Sequence, residues 1–281
     1  MKNLIIRTLT GFAFIILVSM SFFLPDFYMF GLFLVFSILG LVEYYQMSKR
    51  SGGSPQVSVT YILTIALYVV MYCFHTSIIL FHNTLGFVLI AALFILAPLA
   101  ITPIIELYRK KKKSLLNIAL SYFPFFWIVL PLSLGTIWKT FDSAVVFSIF
   151  LIVWASDTLA YCFGMLFGKR RLFERISPKK SWEGFILSFI STVLLSTIFT
   201  KITFFNDSVF NTYLEWMSFA AIVIIFGTYG DLVQSMYKRC ANIKDCGKIL
   251  PGHGGILDRF DSFLFALPAG FIFWLIFKIS V

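Results

Sequence analysis

The sequence predicts an all-α fold: a polytopic membrane helical bundle of about nine transmembrane helices, N-terminus cytoplasmic and C-terminus outside. Three observations carry this. The 281 residues are 59% hydrophobic and 19% aromatic, with a mean hydropathy of +0.91, well above the apolar share of an ordinary soluble domain. Apolar runs of about 20 residues recur, each long enough at ~1.5 Å per residue to cross a ~30 Å hydrocarbon core, and in lipid such runs satisfy their backbone as helices. The Lys and Arg residues concentrate in alternate short loops, as cytoplasmic loops require.

In order, the expected spans are Leu4 to Leu24, Phe27 to Met47, Val57 to His75, Leu85 to Leu107, Leu115 to Trp138, Ser143 to Phe167, Trp182 to Phe205, Glu215 to Tyr237 and Ser262 to Ile279. Lys2 and Arg7 before a long apolar core imitate a signal peptide. No small-residue cleavage site follows that core, so an uncleaved first helix is expected. Gly52, Gly53 and Pro55 mark a short turn between the second and third spans. No fixed-period repeat is visible.

With the N-terminus inside, the inner segments hold Lys2, Arg7, Lys49, Arg50, the run Arg109 to Lys113, the Lys169 to Lys180 loop and the segment after Tyr237. The outer segments hold Lys139, Lys201 and Lys278. The net charge of +10 therefore lies almost wholly on one face, where topology and attraction to anionic lipid account for it. Nucleic-acid binding is excluded as a main role by the small soluble mass. Cys73 and Cys162 fall in spans and Cys240 and Cys246 in a cytoplasmic loop, so no disulfide is expected. Zinc on Cys240, Cys246 and His253 is disfavoured by the spacing and the missing fourth ligand.

The chain divides into an N-terminal transmembrane scaffold, 1–140, and a C-terminal catalytic region, 141–281, with a cleft on the cytoplasmic side. In the first part ionisable residues cluster at span ends, as Glu43 and Glu106 do, where a polar head reaches water. In the second part carboxylates stand inside apolar runs, at a cost of about 2.5 to 3.5 kcal/mol unless paired or hydrated. Asp157 is the clearest case, roughly 16 Å below the end of its helix. Asp231 follows Gly227 and Gly230, small residues that admit a close neighbour. Asp258 and Asp261 begin the last span, and their spacing of three places both carboxylates on one helical face. Carboxylates so arranged need a counter-charge, supplied by Lys and Arg alone or by a hard divalent cation such as Mg²⁺.

Carboxylates beside cations and a glycine-rich turn, Pro251-Gly252-His253-Gly254-Gly255, point to phosphate handling. The turn alone is a weak signal, and no Walker-type loop is present. The loop Gly168-Lys169-Arg170-Arg171 to Ser177-Pro178-Lys179-Lys180-Ser181-Trp182-Glu183-Gly184 repeats the theme, with Ser181 or its neighbours as helix cap.

These residues resemble the signature of the phosphatidate cytidylyltransferase (CDP-diglyceride synthase) family. It is matched by Ser235, Lys238, Arg239, Lys244, Asp245, Pro251, Gly252, His253, Gly254, Gly255, Asp258, Arg259 and Asp261, and upstream by Ser156-Asp157-Thr158, Gly168-Lys169, Ser177 to Ser181 and Gly230-Asp231-Leu232. Leu159, Gln234 and Cys246 depart from the pattern, which has Gly, commonly an acid, and Ser at those places. The resemblance covers roughly the second half of the chain.

What the resemblance implies is a Mg²⁺-dependent nucleotidyltransferase of phospholipid biosynthesis. Such an enzyme condenses CTP with phosphatidic acid to CDP-diacylglycerol and pyrophosphate, in the plasma membrane if the protein is bacterial. The expected catalytic residues are Asp231, Lys238, Arg239, Asp258 and Asp261. Asp231, Asp258 and Asp261 are the expected metal ligands, with a second cation left open. Asp157, Lys179, Lys180, Ser181, Ser235, Lys244, Asp245, His253, Gly254, Gly255 and Arg259 are expected to bind substrate. A homodimer is left open beside the monomer. The alternatives are a related CTP-dependent lipid enzyme, such as a polyprenol kinase or an archaeal-type CDP-lipid synthase, and an ion-coupled transporter. The transporter reading needs no cytosolic phosphate loop, and inverted repeats are not apparent.

Overall fold

A computed structural model describes residues 2–81, 84–206, 208–247, 249, 252 and 254–280. Among the described residues the regular structure is helical except for one small hairpin. The helices are α1 (Lys2–Phe23), α2 (Asp26–Ser48), α3 (Val57–Phe81), α4 (Thr84–Arg109), α5 (Ser114–Pro124), α6 (Leu130–Phe141), α7 (Ser143–Phe167), α8 (Trp182–Leu195), α9 (Tyr213–Cys240), the one-turn α10 (Leu257–Phe260) and α11 (Phe263–Ser280). Strands β1 (Arg171–Phe173) and β2 (Ser177–Ser181) pair antiparallel between α7 and α8.

Six stretches among the described residues are long and apolar enough to cross a membrane: Asp26–Ser48, Val57–Thr76, Ser114–Phe167, Trp182–Lys201, Tyr213–Cys240 and Leu257–Ile279. The 54 residues of Ser114–Phe167 exceed any single crossing at ~1.5 Å per residue. The helix is interrupted at Asp142 (φ −158°), whose side chain caps α7 by accepting the Val145 N–H. The protein is thus an all-α membrane bundle.

Three expected spans differ in detail. Leu115 to Trp138 is two α-helices joined by a π turn, Phe125–Val129, between Pro124 and Pro131. Proline lacks an N–H and its ring crowds the carbonyl four residues back, so a widened turn accommodates what regular helix does not. Trp182 to Phe205 is regular only to Leu195 and tightens to 3₁₀ geometry at Ser196–Lys201. There the Ser196, Thr197 and Thr200 hydroxyls donate to carbonyls three residues back at 2.7 to 2.8 Å and compete with the α-helical ladder. The last span begins with α10 and a turn at 261–262 before α11, so helical register is interrupted between Asp258 and Asp261 and the same-face argument does not apply.

Two compact units are formed, one by Met1–Thr140 with Asp245–Asp258, the other by Phe141–Lys244 with Arg259–Val281. The first has an aromatic core in which Tyr44 meets Trp127 edge-on and Phe14 tilts against Phe36. Two polar knots close its ends. Glu106, 3% exposed, accepts from Gln56 Nε2 (2.9 Å), Arg109 Nη1 (2.8 Å) and Asn117 Nδ2 (2.6 Å). The Ser54 N–H donates to Asn117 Oδ1 at 2.7 Å, so the turn after α2 is tied to α4 and α5. At the other knot Lys139 is buried. Its Nζ donates to Asp26 Oδ1 (2.9 Å) and to the Ser21 and Leu24 carbonyls (2.9 and 2.8 Å).

In the second unit α7 and α8 pack closely because Gly164 and Gly184 meet. A Cβ on Gly184 would lie 2.8 Å from the Ala160 carbonyl oxygen and 3.0 Å from the Gly164 Cα. Phe150 stacks on Phe263 at 4.3 Å between centroids, and Phe210, Trp216 and Phe219 fill the space beside α11. Asp142 holds the far end, its Oδ2 accepting from the Val209 N–H (3.0 Å) and Trp274 Nε1 (3.2 Å).

Replacing Glu106 by Ala leaves the Gln56, Asn117 and Arg109 donors facing each other in a buried site. The variant is expected to lose about 3 kcal/mol of stability, read as a lower thermal midpoint in detergent.

Candidate active site

The polar centre of the second unit is built on α7, β2, α9 and the start of the last span. Each element brings one charged residue for a local reason. Ser181 ends β2 and caps α8, its Oγ accepting the Gly184 N–H at 3.2 Å, as the sequence predicts. Glu183 accepts from the Lys169 N–H (3.0 Å) and the Arg170 N–H (3.1 Å), closing the base of the hairpin. The hairpin was not foreseen; the alternation of Leu172, Phe173 and Ile176 with charged residues is too short to announce it. With its base closed, β2 directs Lys180 towards α9.

Lys180 Nζ forms an ion pair with Asp231 Oδ2. Burial pushes the Lys180 ammonium down, but Asp231, hydrogen-bonded to it, together with Asp157 and Asp261 more than offsets this and holds it above its ordinary value. Asp231 Oδ1 also accepts from Ser235 Oγ at 3.2 Å, one turn along α9. Asp157 on α7 is open to the cavity although helices surround it, and its electrostatic neighbours are Lys180, Asp231 and Arg259. Asp261 interacts with Asp231, Asp157 and Lys238, and its Oδ1 accepts the Ser262 N–H at 2.9 Å. Gly230 permits this approach, since a Cβ there would collide with the Asp261 carbonyl. At Gly227 a Cβ would make only ordinary contact with Ser262.

Asp157, Lys179, Lys180, Ser181 and Asp231 line a cavity of about 480 Å³. Tyr161, Met165, Leu172 and Phe185 supply its apolar side, and Tyr161 and Met165 are 67% and 64% exposed. Arg171, Ser156, Ser188 and Thr228 also line it; Ser156 and Arg171 stand in the motifs read from the sequence without a site role, and Ser188 and Thr228 were not singled out. The lining thus offers both charged and apolar contacts. Arg239 donates its Nε to the Ile176 carbonyl at 3.3 Å and so braces the hairpin. Lys244 is exposed beyond α9, after Asn242 in the left-handed region (φ 54°).

The remaining expected residues belong to the first unit. Asp258 Oδ2 accepts the Cys246 N–H (2.8 Å) and the Gly255 N–H (3.0 Å), clasping the two ends of the 246–255 loop. Gly254 is left-handed (φ 85°), and a Cβ on it would lie 2.9 Å from Asp258 Oδ2. Asp245 is exposed beside it. His253, Pro251 and Lys248 lie outside the described residues. Among the described residues no group of three or more His, Cys, Asp or Glu has metal-holding geometry.

Two of the departures have a physical account. Gln234 is fully buried (0% exposed), where an amide is far less costly than a carboxylate. The Cys246 side chain is buried and suits a small, weakly polar thiol. Nothing in the structure explains Leu159. None of the four cysteines is in a disulfide.

Fold and site together define a polytopic helical membrane protein with a cavity in which carboxylates from spanning helices meet lysine from the hairpin between α7 and α8. Within that class the chain belongs to the cytidylyltransferase family, whose sequence profile matches residues 5–277. It is similar to the phosphatidate cytidylyltransferases of Staphylococcus haemolyticus (50% identity over 119 residues, 42% of this chain and 44% of that protein), Staphylococcus saprophyticus (46% over 121 residues, 42% and 44%) and Staphylococcus aureus (47% over 121 residues, 42% and 44%). The matched stretch thus spans less than half the length of these relatives.

Lys180→Met leaves Asp231 beside Asp157 and Asp261 without its ammonium, and is expected to cost about 1 to 3 kcal/mol on unfolding in detergent. A raised lysine contributes stability that is full below its unfolded value, near ~10.4, and is lost as pH rises through the folded value. The difference between wild type and variant should therefore stay flat between about pH 7 and 9 and shrink above that range.

Proposed function

We propose that the protein is a phosphatidate cytidylyltransferase, condensing CTP with phosphatidic acid to CDP-diacylglycerol and pyrophosphate. The observation that carries the reading is the meeting of Lys180 with Asp231 and Asp157, with Asp261 as a further electrostatic neighbour, at a cavity lined by both charged and apolar side chains. Membership of the cytidylyltransferase family and the names of the staphylococcal relatives support it. An amphipathic substrate suits such a cavity: the phosphate meets Lys179 and Lys180, and the glycerol and acyl chains lie along Tyr161, Met165 and Phe185.

In the proposed reaction a phosphate oxygen of the lipid attacks the α-phosphorus of CTP in line. The new P–O bond replaces the bond to the β-phosphate, and pyrophosphate leaves with that electron pair. A phosphate monoester is nucleophilic near neutral pH, so no strong base is required. Lys179 and Lys180 orient the lipid phosphate, and Lys238, Arg239, Lys244 and Arg259 are assigned to the CTP phosphates and the leaving group. Ser235 holds the Asp231 carboxylate in place.

The donor chemistry fits a hard cation. Asp231 and Asp261 offer only oxygen donors and interact with each other and with Asp157, beside Lys180, Arg259 and Lys238. Mg²⁺ on Asp231 and Asp261, with Asp157 beside it, would neutralise phosphate charge as it develops. Asp258, also an expected ligand, is assigned here to the loop that it clasps. Nine crossings, with the N-terminus and the cavity cytoplasmic and the C-terminus outside, complete the proposal and follow the distribution of Lys and Arg.

The test is purified protein in detergent with labelled CTP, phosphatidic acid and Mg²⁺. CDP-lipid and pyrophosphate are expected; release of CDP would instead mark a lipid kinase, and no CTP turnover would defeat the reading. Asp231→Asn is expected to lower kcat by about 10²- to 10³-fold while the protein still inserts and elutes as wild type.

A further inference from the structure

Glu43 lies near the end of α2, in a span that is otherwise almost wholly apolar. The sequence places it where its head reaches water. In the structure it is 1% exposed and turned inward onto the glycine-rich loop. Oε1 accepts the Ile256 N–H and Oε2 the Leu257 N–H, each at 2.9 Å. Two adjacent backbone donors are matched by the two oxygens of one carboxylate. A glutamine offers one acceptor and would turn its own N–H₂ towards the second donor. Charge-assisted bonds of this kind are what make a buried carboxylate tolerable.

The glycines of the loop record the same contact. A Cβ on Gly247 or on Gly255 would collide with the Glu43 carboxylate. Neither residue is in the left-handed region, which in this loop holds Gly252 and Gly254. Backbone conformation therefore does not demand glycine at 247 or 255. The nearness of Glu43 does.

We propose that Glu43 is a positioning residue for the backbone at 254–258: its carboxylate sets the backbone at Ile256 and Leu257, and Gly247 and Gly255 are glycine because that carboxylate packs against them. Asp258 clasps the ends of the loop from within, and Glu43 fixes the loop to α2. Asp245, Gly254, Gly255 and Asp258 are among the residues by which the chain resembles its family, and the activity measurement asks whether they matter to the reaction proposed above. Only the catalytic part of the test rests on that reaction.

The experiment uses the full-length protein in detergent, as wild type, Glu43→Gln, Glu43→Asp, Gly255→Ala and the double variant Gly255→Ala with Glu43→Asp. Hydrogen exchange by mass spectrometry reads the 254–258 segment. Glu43→Gln should speed exchange of the Ile256 and Leu257 amides by about tenfold or more, with a smaller effect in Glu43→Asp; unchanged exchange overturns the proposal. Gly255→Ala should perturb the same amides, and the shorter aspartate should restore part of the protection by vacating the space of the new methyl group. Strictly additive effects in the two variants overturn the packing half of the claim.

In the catalytic arm, kcat of Glu43→Gln should fall about 10- to 100-fold, with partial recovery in Glu43→Asp and a thermal midpoint within about 2 °C of wild type. A loss of activity matched by a general loss of stability, with the loop amides still protected, also overturns it. Should Glu43→Gln fail to fold, Glu43→Asp and the Gly255→Ala pair decide by the same exchange measurement. If wild type makes no CDP-lipid, the proposed function fails, and the exchange measurement still decides the role of Glu43.

Discussion

A carboxylate inside an apolar bundle is tolerated only where donors meet it, and this constraint organises both units. Glu106 is met by three side-chain donors, Asp142 by two backbone N–H groups and an indole, Glu43 by two consecutive backbone N–H groups, and Asp231 by the Lys180 ammonium and a serine hydroxyl. Each arrangement ties together segments that are distant in the chain. The acidic residues thus act as fixed points between helices whose other contacts are largely non-directional.

The compensation is uneven, and the unevenness marks the site. Glu106 and Asp142 have their acceptor capacity taken up by protein donors, and both serve structure. Asp157, Asp231 and Asp261 instead gather with Lys180, Arg259 and Lys238 beside a cavity of about 480 Å³. Carboxylates and cations gathered beside open space are an environment for a cation and a phosphate. The same gathering of charge would be costly in a closed core.

Much of this was legible in the sequence where local rules apply. Ser181 as helix cap, the helices themselves and the carboxylates inside the spans follow from composition, spacing and capping chemistry. The interruptions were harder to see. Pro124 and Pro131 signal a disturbed helix but not a π turn, and the hydroxyls of Ser196, Thr197 and Thr200 are compatible with either α or 3₁₀ geometry until packing chooses. Asp258 and Asp261 carry a spacing that implies one face only if the helix is continuous, and the turn at 261–262 removes that premise.

By itself the sequence determined that this chain is a helical membrane bundle, which of its carboxylates stand in apolar surroundings, and the signature by which it resembles its family. These depend on hydrophobicity and on neighbours within a few residues. Tertiary structure alone decided the partners. Lys180 meets Asp231 because the hairpin turns β2 back towards α9. Glu43 meets Ile256 and Leu257 from 213 and 214 positions away along the chain, and nothing in the residues near Glu43 indicates which backbone groups it will receive. The glycine at 255 is explained in the same way, by the carboxylate packed against it and not by the conformation of its own backbone.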